Sequence, residues 1–308
     1  MKIRLNSIQM LRGFAAIAVM LLHTSDHINS FFKKRFAWDF FSVGWSGVDI
    51  FFVLSGFIIT YIHFEDLQRK SNVQSFFKKR FNRIFPIFWV ILFIYGLLSI
   101  LTTKSISHEF IFNFIRNFFL IDAPATERII VVSWSLTYEV IFYLIFGGCI
   151  LLGMGKSKIV WISWFVLIIA ANLFFVSQPI LLNGFILEFL FGVVVGYIFK
   201  EVTLSEQKYA WGQRNYGTIL VTGIILFIIA WMLSLSGEHQ YFKKTSLESR
   251  FSFGIGASLM IFGLAMLDLK KNIRIPSFLI LLGDASYVLY LLHPLCLALC
   301  FRVSSKLT

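Results

Sequence analysis

Long apolar runs recur along the chain and are separated by short polar stretches. A helix needs about 20 mainly apolar residues to cross a bilayer, where only helices and closed barrels satisfy their backbone polar groups. These runs therefore predict an all-α polytopic bundle that forms a single domain over residues 1–308. The nine predicted spans are residues 8–24, 44–63, 84–102, 134–153, 159–176, 180–199, 216–236, 252–267 and 284–303.

A further segment, residues 107–119, has a different pattern. Its sequence SHEFIFNFIRNFF alternates polar and aromatic residues at helical spacing. This pattern is typical of an amphipathic helix that lies in the membrane interface and does not cross the bilayer.

The composition excludes an ordinary soluble protein. Hydrophobic residues make up 58% of the chain and charged residues only 14%, and the mean hydropathy is +0.79. The formal net charge of +12 belongs mostly to the loops, as in membrane proteins that are oriented by cytoplasmic Lys and Arg. No nucleic-acid partner is therefore expected.

The basic residues also predict an orientation. The densest basic cluster, KKRFNR at residues 78–83, lies in a predicted loop. Short loops rich in Lys and Arg stay in the cytoplasm. The N-terminus is then cytoplasmic too, and the chain is expected to be a multi-pass protein.

The first span contains two residues that are expensive to bury. Arg12 and His23 are 11 residues apart, which is about 16 Å and just over three turns along one helix face. One interpretation is that Arg12 reaches the cytoplasmic headgroups and His23 caps the outer end. The other is that both face a bound molecule or a neighbouring helix.

Two carboxylates are predicted to lie at the same depth as His23. Asp49 enters the second span from the outside, and Glu139 enters the fourth from the same side. A histidine that bonds either carboxylate would keep its second nitrogen free as a general base. The favoured partner is Glu139, because Trp134, Ser135 and Tyr138 supply hydrogen-bond donors nearby. The alternative is that both acids bond polar side chains only to hold helices together.

Five motifs in a fixed order carry a family resemblance. They are RGFAAIAVMLLH, GVDIFFVLSGFIIT, KRFNRIFPIFW, SWSLTYEVIFY and LGDASYVLYLLHP, and they extend over residues 11–294. Together they resemble the acyltransferase 3 family of bacterial integral-membrane acyltransferases. The members of this family are similar in type to the enzymes that O-acetylate O-antigen and other exported polysaccharides. Arg12 and His23 match the family's basic residue, ten intervening residues and histidine. Arg80 and Arg83 match its paired arginines.

The resemblance implies a reaction and a location. A protein of this family is expected in the bacterial inner membrane, where it moves an acyl group from cytoplasmic acyl-CoA to a hydroxyl of a cell-surface carbohydrate. Acetyl-CoA is the expected donor. The pantetheine arm would run beside the first helix from Arg12 to His23. The family usually has ten spans, one more than the apolar runs predict.

The resemblance also gives roles to two further pairs of residues. Arg80 and Arg83 are three apart and would clamp the donor phosphates through forked hydrogen bonds, or else bind anionic lipid. Tyr290 and His293 also share a helix face and are expected to line a substrate path. No metal is expected, because His293 and the nearby cysteines have no visible fourth ligand.

Two other classes of protein fit parts of the sequence. A secondary transporter or flippase for a lipid-linked sugar would use the apolar-embedded acids Asp49, Glu139 and Glu188. Such a protein should also have an internal pseudo-symmetry, which the sequence does not display. The third class is a non-catalytic relative that serves as a scaffold.

Overall fold

A computed structural model of the chain describes residues 4–33, 37–103, 105–175, 178–236, 246–270 and 274–307. Within these ranges the regular structure consists of α-helices joined by short loops and 3-10 turns. The α-helices are α1 Asn6–Phe32, α2 Ser46–His63, α3 Val73–Thr103, α4 His108–Phe118, α5 Trp134–Leu152, α6 Met154–Phe174, α7 Ile186–Leu204, α8 Glu206–Leu235, α9 Leu247–Asp268 and α10 Ser277–Leu307.

The predicted all-α polytopic bundle is confirmed. Each of the nine predicted spans coincides with one of these helices, and eight of the described helices are long and apolar enough to cross a membrane. The ninth, α7, is 19 residues long and carries Glu188, Lys200 and Glu201. The amphipathic segment also forms a helix, α4, although its place in the interface stays a prediction.

The main difference from the predicted spans concerns helix ends. Helix α3 begins at Val73, so the basic cluster at residues 78–83 lies in a helix and not in a loop as predicted. Hydropathy detects only the part of a helix that is apolar enough for lipid. A helix bonds its own backbone and can therefore extend beyond that part into a polar region.

Glycines let the helices that carry the site pack closely. A Cβ on Gly283 of α10 would overlap the backbone of Gln9 in α1, and one on Gly13 would lie 3.1 Å from the side chain of Leu282. Small residues at such contacts allow two helix backbones to approach in a membrane protein. The α1–α10 contact continues from Gln9 and Gly283 to His23 and His293, so the two helices run parallel.

The start of α1 is fixed by the end of α9. The carboxylate of Asp268 accepts hydrogen bonds from the backbone N of Ser7, at 2.9 and 3.1 Å, and from its hydroxyl at 2.8 Å. A carboxylate at this position satisfies N–H groups that have no partner inside the helix and complements the helix dipole. This contact holds the turn of α1 that precedes Arg12.

Candidate active site

A cavity of about 250 Å³ lies between α1, α2, α3, α5 and α10. Most of its wall is apolar, but several polar side chains face it. They are Arg12, Ser55, Arg83, Ser135, Glu139, Asp284, Ser286, Tyr287 and Tyr290. A mainly apolar cavity with a few polar groups is the usual form of a ligand site.

Three of the four charged side chains that line the cavity come from α1, α3 and α10, and the fourth, Glu139, comes from α5. Arg12 and Arg83 both line the wall, as does Asp284. The Asp284 carboxylate accepts bonds of 2.6 and 2.9 Å from Arg4, and Arg12 donates to the side-chain oxygen of Gln9 at 3.1 Å. Two guanidinium groups at one end give the cavity a site suited to an anionic ligand.

Arg80 does not join this pair in the way that the spacing predicts. Its guanidinium lies behind the cavity wall, only 8% exposed, and Nη2 donates to Nε2 of His63 at 3.2 Å. It also lies over the rings of Phe76 and Tyr143, at 5.9 and 5.8 Å from their centroids. The predicted clamp of Arg80 and Arg83 is therefore split, because Arg80 points into the protein and Arg83 is exposed.

Glu139 faces the cavity but has different partners from those predicted. Its carboxylate accepts hydrogen bonds from the hydroxyl of Tyr143 and from Ser55, the latter at 3.2 Å. Ser55 lies six residues beyond Asp49 on α2, about 9 Å along the axis. Glu139 thus contacts α2 away from Asp49, and the structure does not bring the two acids together.

Asp49 belongs to a separate buried cluster. Its carboxylate accepts a hydrogen bond from Nη1 of Arg250, which also donates to Glu188 at 2.6 Å, and all three side chains are fully buried. The guanidinium of Arg250 lies 4.5 Å from the ring centroid of Phe185 and 5.2 Å from that of Trp45. Asp49 thus joins α2 to α7 and α9. This agrees with the alternative that the acid serves to hold helices together.

His23 pairs with a second histidine. Its Nδ1 lies 2.9 Å from the carbonyl oxygen of Val19 and 3.3 Å from Nε2 of His293. In the part of the chain that the structure describes, His23 forms hydrogen bonds with these two groups and with no carboxylate. The predicted contact of His23 with Glu139 or Asp49 is therefore wrong, because both acids bond other side chains.

These hydrogen bonds also fix the tautomers of the pair. Carbonyl oxygens only accept, so Nδ1 of His23 carries a proton and donates to the carbonyl oxygen of Val19. Nδ1 of His293 likewise donates to the carbonyl oxygen of Leu289 at 3.2 Å. Nε2 of a neutral His293 then accepts from the same Nδ1 proton, which His23 shares between Val19 and His293. Nε2 of His23 is left with a lone pair, which is the arrangement of a base.

Tyr290 connects this pair to the cavity. Its ring lines the cavity wall and lies 6.0 Å from the ring of His293. Its hydroxyl donates to the carbonyl of Val132 at 3.0 Å and lies 2.9 Å from Ser135 Oγ. The charged end of the cavity, Tyr290 and the histidine pair thus follow one another along α1 and α10.

Sequence reasoning missed four residues that hold the predicted acids and arginines in place. They are His63, Asp66, Tyr143 and Arg250. Local spacing contained a signal for some of them. His63 and Asp66 are three apart and Glu139 and Tyr143 four apart, which are distances at which helical side chains meet. Arg250 was missed because the predicted span started two residues after it.

Comparison with curated proteins gives several relatives. The chain is 24% identical to the exopolysaccharide production protein ExoZ of Rhizobium meliloti over 270 residues, which is 82% of this chain and 76% of ExoZ. It is 29% identical to the peptidoglycan O-acetyltransferase OatA of Listeria monocytogenes over 167 residues, 49% of this chain and 25% of OatA. It is 28% identical to the acyltransferase MdmB of Streptomyces mycarofaciens over 155 residues, 47% of this chain and 38% of MdmB.

No solved structure is significantly similar to this chain. The family comparison covers nearly all of it, since residues 5–307 match a family described as "Acyltransferase domain". The match includes both histidines and every charged residue that lines the cavity. The chain therefore belongs to the acyltransferase 3 family and is a multi-pass membrane acyltransferase.

Proposed function

We propose that this protein transfers an acyl group, acetyl in the first instance, from cytoplasmic acyl-CoA to a hydroxyl of a carbohydrate outside the bacterial inner membrane. Two relatives support the acceptor class, since their names refer to exopolysaccharide production and peptidoglycan O-acetylation. The observation that carries the proposal is the order of groups along α1 and α10. Arg12 of α1 and Tyr290 of α10 line the cavity. The histidine pair lies beyond Tyr290 and outside the cavity lining, with the ring of His293 6.0 Å from that of Tyr290 and with a lone pair on Nε2 of His23.

The donor fits the cavity by its chemistry. Arg12 and Arg83 would bind the phosphates of the nucleotide, because guanidinium groups form paired, charge-assisted hydrogen bonds with phosphate oxygens. The mainly apolar wall would then take the pantetheine arm, with Ser135 and Tyr290 as polar contacts near its far end. The N-terminus of α1 would lie on the cytoplasmic side, which agrees with the basic residues at 78–83.

The chemical step follows from the tautomer of His23. Nε2 takes the proton of the acceptor hydroxyl while the oxygen attacks the thioester carbonyl, so that a carbon–oxygen bond forms and the carbon–sulfur bond breaks. The imidazolium returns the proton to the departing thiolate, which leaves as the CoA thiol. His293 holds the imidazole by accepting a hydrogen bond from Nδ1–H of His23. Glu139 supplies a carboxylate in the cavity wall.

Transfer of label tests the function. Purified protein in vesicles is given acetyl-CoA labelled in the acetyl group together with an isolated cell-wall or capsular glycan. Label in the glycan, lost in a His23→Ala variant that still inserts, is the expected result. Counterflow of unmodified glycan without label transfer would indicate a transporter instead, and neither activity would indicate a scaffold.

A further inference from the structure

A chain of polar contacts joins the loop after α2 to the cavity wall. Nδ1 of His63 lies 2.6 Å from Oδ2 of Asp66, and Nε2 of His63 lies 3.2 Å from Nη2 of Arg80. The other oxygen of Asp66 accepts from the side-chain amide of Asn72 at 2.6 Å. The series of contacts thus starts at a partly exposed carboxylate, Asp66, and reaches a buried cation, Arg80.

The direction of each hydrogen bond is fixed by the groups themselves. Arginine only donates, so Nε2 of His63 must accept from Arg80. Nδ1 of His63 then carries the proton and donates to the Asp66 carboxylate. His63 is only 1% exposed, and the ring of Phe76 meets it edge to face at 4.9 Å. The imidazole is therefore held in one tautomer and one orientation.

The same contacts continue to the cavity. The guanidinium of Arg80 lies over the ring of Tyr143, and the hydroxyl of Tyr143 donates to the Glu139 carboxylate. Glu139 in turn lines the cavity, whereas Arg80 lies behind it. A cation over an aromatic face is attracted by the ring electrons and restricts where that ring lies. The position of Arg80 therefore influences the position of the Glu139 carboxylate through the ring and hydroxyl of Tyr143.

We propose that His63, oriented by Asp66, is a positioning residue for acyl transfer. It fixes Arg80 against Tyr143 and so sets the direction in which the Glu139 carboxylate faces the substrate. This inference rests on the proposed function and assigns separate roles to two arginines three residues apart. Arg83 contacts the donor at the cavity wall, and Arg80 supports the wall from behind.

Steady-state kinetics with two substitutions of His63 test the inference. His63→Leu removes both hydrogen bonds, and we expect kcat to fall roughly 10- to 100-fold, because small errors in the position of catalytic groups have effects of this size. The donor KM should stay within about twofold of wild type. His63→Gln should recover most of kcat, since its amide oxygen can accept from Arg80 and its N–H can donate to Asp66.

Three controls separate a positioning role from other causes. His108→Leu makes the same change at an exposed position of α4 and should leave kcat unchanged. Arg83→Gln should raise the donor KM far more than it lowers kcat, the opposite of His63→Leu. In an Arg80→Gln background, His63→Leu should cause no additional loss, because the two residues act in one chain.

Several results would overturn the inference. They are wild-type kcat in His63→Leu, equal loss in His63→Gln and His63→Leu, or a rise in donor KM like that of Arg83→Gln. If His63→Leu does not fold, Asp66→Ala removes the contact with His63 at a partly exposed residue, and the same criteria apply to it. A wild-type protein that transfers no label contradicts the proposed function itself, and this inference falls with it.

Discussion

The two histidines show how one residue decides the chemistry available to another. The spacing of Arg12 and His23 predicted a functional face on the first helix, and both residues do face neighbouring groups in the bundle. The partner of His23 was predicted wrongly, because it lies 270 positions away on α10. Sequence alone does not tell which of several polar residues will meet after folding.

A histidine partner has a consequence that a carboxylate partner would not have. A neutral His293 orients His23 by accepting a hydrogen bond from its Nδ1 but provides no negative charge to stabilise an imidazolium. His293→Leu should therefore lower kcat by about tenfold, whereas His23→Ala should lower it by about 10²- to 10⁴-fold, the range of general-base contributions.

Initial rates at saturating donor and acceptor measure both effects, with His108→Leu as the control for loss of an exposed imidazole. A His293→Leu variant as inactive as His23→Ala would make His293 a second base. Full activity of His293→Leu would instead remove it from the mechanism.

At the scale of the element, helices were predicted well and their contacts were not. Each of the nine apolar runs corresponds to a helix, because burial in lipid requires long apolar segments and a satisfied backbone. Which helices are neighbours depends on small residues such as Gly13 and Gly283. Their role becomes visible only when the backbone opposite them is known.

The α1–α10 contact leads to a matched pair of glycine substitutions. Gly283→Ala puts a methyl group against the backbone of Gln9, and such overpacking typically costs about 1 to 3 kcal/mol. We expect a lower unfolding temperature and reduced kcat, because the same two helices carry His23 and His293. Gly148→Ala in α5 has no heavy atom within 4 Å of the added Cβ and should change neither.

Unfolding temperature in detergent and transfer rate are measured on both variants at equal protein concentration. Equal behaviour of Gly283→Ala and Gly148→Ala would show that α1 and α10 tolerate a wider separation. Loss of kcat without loss of stability in Gly283→Ala would show that the position of His293 is more sensitive than the fold.

At the scale of the whole molecule, two separate sets of charged side chains inside the bundle have different roles. Arg12, Arg83 and Glu139 face the cavity. Asp49, Glu188 and Arg250 are sealed between α2, α7 and α9 and face one another. An acid inside a membrane protein is a candidate for function by default, so sequence reasoning grouped Asp49 with Glu139. Asp49 differs from Glu139 because Asp49 is fully buried and is paired with Arg250.

The buried cluster predicts a large effect on stability. Arg250→Met removes the cation between two fully buried carboxylates, and leaving a buried charge without its partner typically costs about 3 to 5 kcal/mol. Adding Asp49→Asn and Glu188→Gln to Arg250→Met should restore much of that loss, because no uncompensated charge then stays buried. Asp49→Asn alone should have a smaller effect, since Arg250 keeps Glu188.

Unfolding in detergent compares the three variants with wild type, and transfer at saturating substrates is measured on those that fold. The triple variant is decisive, because it lacks the cluster's charges but keeps its packing volume. If it is stable and transfers at the wild-type rate, the cluster serves the fold alone. If it is stable and inactive, at least one residue of the cluster acts in the reaction, and the division between the two sets of charges is wrong.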